Sequence, residues 1–224
     1  PMPEARQYAP ATERNRQPIL EALQQILPAT GTVLEIASGT GEHAAFFAPR
    51  LSQLQWLPSE PEAERIASIQ AWREAALAEN LLPPVALDVS ENPWPIEQSI
   101  EQPVKQTGEQ TAGQSQRLAQ PITAIVNINM IHISPWTMCE HLMAGAQRIL
   151  PVDGVLYLYG PFKQKGEHTA PSNEAFDHML RDRNSQWGVR DLETVCQLAQ
   201  QHHLHHSQTI AMPANNLSVI FHRQ

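Results

Sequence analysis

The sequence predicts an α/β protein whose doubly wound sheet has seven strands, mostly parallel, with an antiparallel last strand. Three observations support this prediction. Short apolar runs alternate with longer stretches of helical periodicity, which is typical of a largely parallel sheet covered on both faces. Each apolar run is bounded by Gly, Pro or Asn, as strand ends usually are. Only MPANN separates the last two runs, and because so short a connection cannot hold a crossover helix, these runs should form an antiparallel hairpin.

The elements follow one another in a regular order along the chain. The predicted strands are Thr32–Ile36, Leu54–Leu57, Val85–Leu87, Ile122–Ile128, Val155–Tyr159, Ser207–Ala211 and Leu217–His222. The predicted helices are Gln17–Leu27, Gly41–Leu51, Pro61–Asn80, Trp136–Leu150, Ser172–Asn184 and Arg190–His203. Residues 97–120 are rich in Gln, Thr, Ser and Gly without an apolar period, so we interpret them as a mobile, solvated insertion in a single domain spanning residues 1–224.

Composition limits the classes of protein to consider. A chain of 224 residues that is 42% hydrophobic can bury one large core. Its formal charge of −8 comes without the basic stripe of a nucleic-acid binder. No run approaches the roughly 18 apolar residues of a membrane helix, and the first residues lack a secretion pattern. Cys139 and Cys196 lie far apart, which argues against a disulfide framework. We therefore expect a cytoplasmic protein; the sequence does not indicate its oligomeric state.

A glycine-containing loop follows the first predicted strand, in the segment LEIASGTGEHA. Gly39, Gly41 and Ala44 fit the G-x-G-x-x-G/A pattern of a dinucleotide fold, in the required strand–loop–helix setting. Such glycines let backbone amides approach a ligand where a Cβ would collide. The alternative is a strand–turn–helix in which the glycines serve only the turn.

Carboxylates end three consecutive predicted strands. Glu35 precedes the glycine loop, where an acid would repel a pyrophosphate and attract a cationic group. Glu60 ends the second strand, where a carboxylate can accept both hydroxyls of a ribose. Asp88 ends the third strand, within reach of the exocyclic amine of a base. Each acid alone can be a cap or a solvated loop residue. Together, at the strand ends where open α/β sheets bind ligands, they predict a site.

This combination resembles the class I S-adenosylmethionine-dependent methyltransferases, whose Rossmann-like sheet has seven strands and an antiparallel last strand. More closely, LEIASGTGEH, the preceding RNRQPIL and the later YGPFK…SNEAFD…WGVRD resemble the methyltransferase-like protein 26 family and its bacterial relatives. That family is assigned as methyltransferases by fold and motif, without an established substrate. Ala37 stands where most class I members have their first glycine, but the narrower family shares this alanine.

The resemblance implies S-adenosylmethionine as cofactor and a methyl acceptor, which we expect to be a small molecule. The residues expected to bind the cofactor are Glu35, Ala37, Gly39, Gly41, His43, Glu60, Asp88, Val89, Asn129 and Arg16. Arg16, or its neighbour Arg14, is the candidate partner of the methionine carboxylate, because a planar guanidinium suits a carboxylate.

The candidate catalytic residues follow the fourth predicted strand, in NINMIHIS. In the wider class this junction faces the transferred methyl group, so His132 is the candidate general base and Asn129 a candidate contact to substrate or cofactor. The alternative, that His132 only hydrogen-bonds its own loop, remains open. Tyr159, Lys163 and His168 follow the fifth strand and are candidates for a lid over the crevice.

Other patterns do not predict chemistry. In HHLHH, His202 and His206 have i, i+4 spacing, but the segment passes from a helix into a strand, so we expect no metal site. Trp72, Trp136 and Trp187 are interpreted as core residues.

Two alternatives to the methyltransferase remain. One is a nicotinamide-dependent oxidoreductase with the same loop, against which Glu35, Asp88 and the terminal hairpin argue. The other is a non-catalytic module that binds S-adenosylmethionine.

Overall fold

The computed structural model describes residues 5–101 and 118–224, which form one seven-stranded sheet. Its strands are β1 Thr32–Ile36, β2 Gln55–Glu60, β3 Val85–Ala86, β4 Ile122–Ile128, β5 Val155–Gly160, β6 Leu204–Met212 and β7 Asn216–Arg223. The order across the sheet is β3-β2-β1-β4-β5-β7-β6. The strands β1 to β5 pair in parallel, and β7 is antiparallel to both β5 and β6. The predicted fold class and terminal hairpin are confirmed.

Seven α-helices lie in the described part of the chain. They are α1 Pro10–Ile26, α2 Glu42–Phe47, α3 Ala63–Ala76, α4 Pro95–Glu101, α5 Trp136–Ile149, α6 Pro171–Arg183 and α7 Leu192–Gln201. Short 3-10 helices occur at Ala48–Arg50, Met130–His132 and Pro213–Asn215.

The sheet separates two core layers, because neighbouring residues of a strand point to opposite faces. In β1, Val33 packs into the layer that contains α1 and α2, whereas Leu34 packs into the layer that contains α5 and α7. The same alternation occurs in β5, where Tyr157 and Leu158 face opposite layers. The crevice between the two layers opens at the carboxyl ends of β1 and β4, where the strand order reverses.

The first helix begins earlier than predicted. Pro18 favours a helix start close to itself, because proline lacks the N–H of a helix interior. Instead α1 starts at Pro10 and contains Pro18 in its interior. Thr12, Ile19 and Leu23 are buried on one side of this helix, so tertiary packing outweighs the local preference.

Prolines also lie where two other elements differ from their predicted bounds. The predicted range of the second strand ended at Leu57, whereas β2 continues through Pro58 to Glu60 and pairs with β3 only from Ser59 onward. The predicted helix Gly41–Leu51 is shorter, with α2 giving way at Ala48 to a 3-10 turn that contains Pro49.

The segment predicted as an insertion, 97–120, begins within a helix. Helix α4 runs to Glu101, and Glu97 forms an ion pair with Arg148 of α5 at 2.8 Å. The neighbouring Ile96 is buried in the core. These contacts give the start of the segment a regular structure that its polar composition did not predict. Residues 102–117, most of the predicted insertion, lie outside the described residues.

Candidate functional site

The glycine loop is fastened to the end of β2. The Ser38 N–H donates to the Ser59 carbonyl at 2.9 Å, and the Ser59 N–H donates to the Ser38 hydroxyl at 3.0 Å. The Ser59 hydroxyl donates to the Glu35 carbonyl at 2.6 Å. The Gly39 N–H donates to Oε1 of Glu60 at 3.0 Å. The loop is therefore held in one conformation by its neighbour strand.

The two glycines of the loop have different roles. Both have positive φ, +61° at Gly39 and +92° at Gly41. A Cβ on Gly41 would lie 2.7 Å from Cα of Ile69 in α3, so this glycine is needed for packing. A Cβ on Gly39 would meet only the guanidinium of Arg65, at 3.5 Å. Gly39 is thus the glycine whose missing side chain leaves room for a ligand.

A cavity of about 550 Å³ lies beside this loop, at the carboxyl ends of β1, β2 and β4 and the turn after β3. Its volume is within the range of small-molecule sites. Eight of the predicted site residues line it, namely Glu35, Ala37, Gly39, His43, Glu60, Asp88, Val89 and Asn129. The structure does not bring Gly41, Arg16 or His132 to the cavity lining.

Glu35 is a buried acid with an unused oxygen. Its side chain is 2% exposed, and Oε2 accepts a hydrogen bond from the Trp56 indole N–H at 3.1 Å. Oε1 has no hydrogen-bond partner among the described residues. Burial raises the pKa of Glu35 from 4.5 to about 7. A cation close to this carboxyl would favour its charged form.

Glu60 and Asp88 are more exposed to solvent than Glu35. Burial raises the pKa of Glu60, against the opposing effect of the Arg65 charge. Asp88 is held by a local turn, in which its Oδ1 accepts the N–H of Ser90 at 2.9 Å and the Ser90 hydroxyl at 2.7 Å. Together with Glu35 and Glu62, these two acids bring four carboxyl groups to the part of the cavity that lies beside β1, β2 and β3.

Helix α1 also contributes residues to the cavity lining. Asn15 lines the cavity, and its Oδ1 lies 2.8 Å from Nε2 of His43. Asn15 also hydrogen-bonds Tyr159 at the end of β5. The His43 ring stacks on Phe47, with ring centroids 5.3 Å apart. Burial lowers the pKa of His43 to about 4, with the charge of Arg16 as a second cause. His43 is therefore neutral near pH 7.

Arg16, a predicted cofactor-binding residue, does not line the main cavity. Its guanidinium stacks on Phe46, 4.7 Å from the ring centroid, beside a second cavity of about 210 Å³. Successive residues of a helix point in different directions, so when Asn15 faces the main cavity, Arg16 turns away from it. Of the residues in the motif RNRQ, Asn15 is the one that lines the main cavity.

His132 is a core residue and lies outside the cavity lining. It ends the 3-10 turn after β4, is 0% exposed, and packs edge-on against Phe162 with ring centroids 4.8 Å apart. Its Nδ1 accepts the N–H of Arg190 at 3.0 Å, so the ring proton is on Nε2. That Nε2 faces the backbone of Gly160. Burial lowers the pKa of His132 to about 3. In this structure His132 therefore bonds the loop through Nδ1 and does not reach the cavity lining.

The part of the cavity beyond β4 has a different character. Its lining is Met130, Ile133, Ser134, Pro135, Met138 and Trp187, and we call these six residues the apolar half. Asn129 stands at the boundary, in a left-handed conformation with φ 65°. The sequence interpretation placed Trp187 in the core, although WGVRD belonged to the motifs that suggested a family.

The candidate lid residues are also engaged elsewhere. Tyr159 is buried, and Lys163 and His168 both reach Asp177 of α6, at 3.9 Å and 3.3 Å. None of the three lines the main cavity.

The described residues contain neither a cluster of metal-ligating side chains nor a helix that could span a membrane. No group of three or more His, Cys, Asp or Glu side chains there could hold a metal ion. No helix in residues 5–101 or 118–224 has both the length and the apolar character needed to cross a membrane.

Comparisons with known proteins agree with the architecture. A family described as "Protein of unknown function (DUF938)" matches residues 6–223. Among solved structures, CalO1, a methyltransferase in calicheamicin biosynthesis in its SAH-bound form, is similar with a TM-score of 0.69, 14% identity, and coverage of 96% of this chain and 54% of that one. An O-methyltransferase family protein from Burkholderia thailandensis has a TM-score of 0.71 and 12% identity, covering 96% and 57%. Human N-acetylserotonin methyltransferase in complex with SAM has a TM-score of 0.68 and 11% identity, covering 95% and 52%. The chain thus spans little more than half the length of these neighbours, which share its fold.

Proposed function

The chain belongs to the DUF938 family, and we propose that it is an S-adenosylmethionine-dependent methyltransferase acting on a small-molecule acceptor. The observation that carries this proposal is Glu35, a buried carboxyl whose Oε1 has no partner and which lies directly before the glycine loop. Glu60 and Asp88 line the same cavity. A cationic nucleoside fits this set of acids, whereas the pyrophosphate of a nicotinamide cofactor would be repelled by Glu35.

The residues present fit S-adenosylmethionine at this cavity. The space that a Cβ on Gly39 would fill is available to a ligand. In the proposal, Glu60 accepts from the ribose hydroxyls with the oxygen that does not bind Gly39, and Asp88 accepts from the amine of the base. Glu35 is assigned to the ammonium group, and Asn15 and His43 to the amino-acid end. When bound, the cofactor supplies an electrophilic methyl group on a sulfonium.

Structural neighbours support the proposal at the level of chemistry. CalO1 is in its SAH-bound form, and human N-acetylserotonin methyltransferase is in complex with SAM. The finer relationship to the methyltransferase-like protein 26 family rests on the three sequence motifs alone. The cytoplasmic location and the single domain likewise stay predictions from the sequence.

We further propose that His132 positions the loop after β4 and takes no part in proton transfer, in place of the base predicted from the sequence. Its lone pair is occupied by the Arg190 N–H. Catalysis would then depend on the orientation of the two reactants, which alone can lower the activation barrier by about 7–11 kcal/mol.

Calorimetry with S-adenosylmethionine, S-adenosylhomocysteine, NAD and NADP tests the proposal. Micromolar or better binding of S-adenosylhomocysteine and no binding of NAD is the expected result. Binding of NAD alone would instead support an oxidoreductase. Binding of S-adenosylmethionine without transfer of labelled methyl to any acceptor in a broad panel would favour a non-catalytic module.

A further inference from the structure

The main cavity is divided into two halves of opposite character. Its titratable lining residues are His43, Glu35, Glu60, Glu62, Arg65 and Asp88, which belong to β1, β2, α2, α3 and the turn after β3. Within the described residues, no titratable side chain lines the apolar half. If the acids hold the cofactor, as the proposed function states, the apolar half is left for the methyl acceptor.

Trp187 gives the apolar half an aromatic wall. The segment that carries it, residues 184–190, is anchored on both sides of the indole. The N–H of Trp187 donates to the Asn184 carbonyl at 2.9 Å, and the N–H of Gly188 donates to the His132 carbonyl at 2.9 Å. The second of these bonds ties the backbone next to Trp187 to the turn after β4, so the segment that carries the indole is ordered before any acceptor binds, which lowers the entropy cost of binding.

The titratable groups behind this wall do not offer a base. Nδ1 of His132 accepts the Arg190 N–H at 3.0 Å, and the ring is fully buried. The Arg190 guanidinium donates to the carbonyls of Ile131 at 2.9 Å and Ser134 at 2.7 Å. An arginine bound in this way is a permanent cation and accepts no proton.

We propose that the apolar half binds an aromatic acceptor that has already ionised, an aryl thiolate or an acidic phenolate, with its ring against Trp187. The inference rests on the proposed function and adds the class of acceptor. A ring of this kind matches an apolar wall with an indole face. An aliphatic alcohol would need a base to remove its proton, and the described lining of the apolar half provides none.

The transfer balances without a proton acceptor on the protein. The acceptor loses its proton to solvent before it binds. Its lone pair then forms the bond to the methyl carbon while the bond from that carbon to the sulfonium breaks, and the electron pair of the broken bond remains on the cofactor sulfur. An anion and a cation are consumed together, so an apolar surrounding favours the reaction. A neutral amine would leave a cationic product in a half of the cavity that has no carboxylate.

Binding can be tested separately from turnover. The protein is saturated with S-adenosylhomocysteine, and 4-nitrothiophenol and 4-nitrophenol are titrated in at a pH where both are ionised. We expect both to bind, Trp187→Ala to weaken them at least tenfold, and Trp187→Phe to stay within about threefold of wild type. Trp72→Ala, outside the main cavity, is the matched control and should have no effect. Equal binding by wild type and Trp187→Ala would overturn the role of Trp187.

Turnover then tests the ionised acceptor. With saturating S-adenosylmethionine, kcat/KM for the acceptor is measured against pH for phenols and thiols of different acidity. We expect the rate to rise at the ionisation of each acceptor, so that the step moves when the acceptor is changed. A step at one fixed pH for all acceptors, or a preference for neutral amines, would overturn the inference. Failure of S-adenosylhomocysteine to bind would contradict the proposed function itself, whereas its binding without that of any aryl probe would contradict only this inference.

Discussion

The imidazole of His132 accepts the backbone N–H of Arg190 through Nδ1 at 3.0 Å. The same residue accepts the N–H of Gly188 through its carbonyl oxygen at 2.9 Å. These two bonds join the turn after β4 to the segment that carries Trp187. His132 is therefore a structural link between two parts of the cavity wall, even though it does not line the cavity.

His132→Ala should lower the free energy of unfolding by about 2–4 kcal/mol, because it leaves a buried N–H unpaired and a void beside Phe162. Urea unfolding measures this loss. The exposed His178→Ala in α6 is the control and should cost less than about 0.5 kcal/mol. Affinity of the folded variant for S-adenosylhomocysteine should change only a few-fold. An unaltered stability together with a lost pH step near 6.5 in turnover would instead identify a base.

Glu35 should make stability depend on pH. Its pKa is raised from 4.5 to about 7, so the folded protein holds a proton that the unfolded chain has lost between these values. Its contribution is therefore complete below about pH 4.5 and is lost as pH rises to about 7, a change of roughly 3 kcal/mol. The free energy of unfolding is measured for wild type and Glu35→Gln from pH 4 to 8. Other titrating groups contribute equally to both proteins, so the difference between them isolates the contribution of Glu35. A difference that does not vary with pH would show that the carboxyl titrates normally.

Ligand binding should depend on pH in the opposite direction. The proposed partner of Glu35 is an ammonium group, which prefers the ionised carboxyl. Affinity for S-adenosylhomocysteine should rise by up to about tenfold per pH unit below 7 and then level off. In Glu35→Gln the dependence should disappear. Binding of 5′-methylthioadenosine, which lacks the amino-acid end, is the control ligand and should vary little in both proteins.

The two glycines of the loop should respond differently to alanine. Gly41→Ala brings a Cβ within 2.7 Å of the Ile69 backbone and should destabilise the fold. Gly39→Ala has free space on the protein side, so its cost should be only about 1–2 kcal/mol for the positive φ, while ligand affinity falls at least tenfold. Gly166, with φ +75° and no neighbour within 4 Å of an added Cβ, is the matched control. Gly166→Ala should lower the free energy of unfolding by a similar amount, because of its positive φ, without weakening ligand binding. Normal binding by Gly39→Ala would remove this position from the site.

The fold and the acidic part of the cavity follow from short-range patterns. Strand periodicity and parallel topology are enough to expect Glu35, Glu60 and Asp88 at one edge of the sheet, and all three line the cavity there. Which residue of a helix faces a site is harder to predict. Asn15 and Arg16 are adjacent in sequence but point into different cavities, and only the packing of α1 against α2 selects between them.

The apolar half depends on contacts that the sequence order conceals. The partner of His132 Nδ1 is 58 residues away in Arg190, so no local pattern indicates that its lone pair is occupied. Trp187 follows the end of α6, where its apolar ring suggests core packing. Its place in the cavity wall results from hydrogen bonds to the turn after β4, which form only in the folded chain.

Glu60 bonds the glycine loop and is also proposed to bind the ribose, and Glu60→Gln can distinguish these two roles. Its Oε1 accepts the Gly39 N–H at 3.0 Å, and its other oxygen is proposed to bind ribose. Glu60→Ala removes both contacts and should cost about 1.5–3 kcal/mol of binding free energy for S-adenosylhomocysteine, the range for hydrogen bonds to charged groups. Glu60→Gln keeps an oxygen for Gly39 but replaces the second acceptor with an amide donor. It should therefore keep the stability of the loop and still lose at least tenfold in affinity.

Calorimetry with S-adenosylhomocysteine and 5′-methylthioadenosine distinguishes the two roles of Glu60. Both ligands carry the ribose, so both should weaken in parallel in each variant. Glu62→Ala is the matched control, because this exposed acid also borders the cavity and pairs with Arg65 at 3.2 Å. It should change affinity by less than threefold, since solvent-exposed ion pairs contribute only about 0–1 kcal/mol. If Glu60→Gln binds both ligands like wild type, Glu60 only tethers the glycine loop. If the loss is confined to S-adenosylhomocysteine, the carboxylate lies at the amino-acid end of the ligand and the ribose is bound elsewhere.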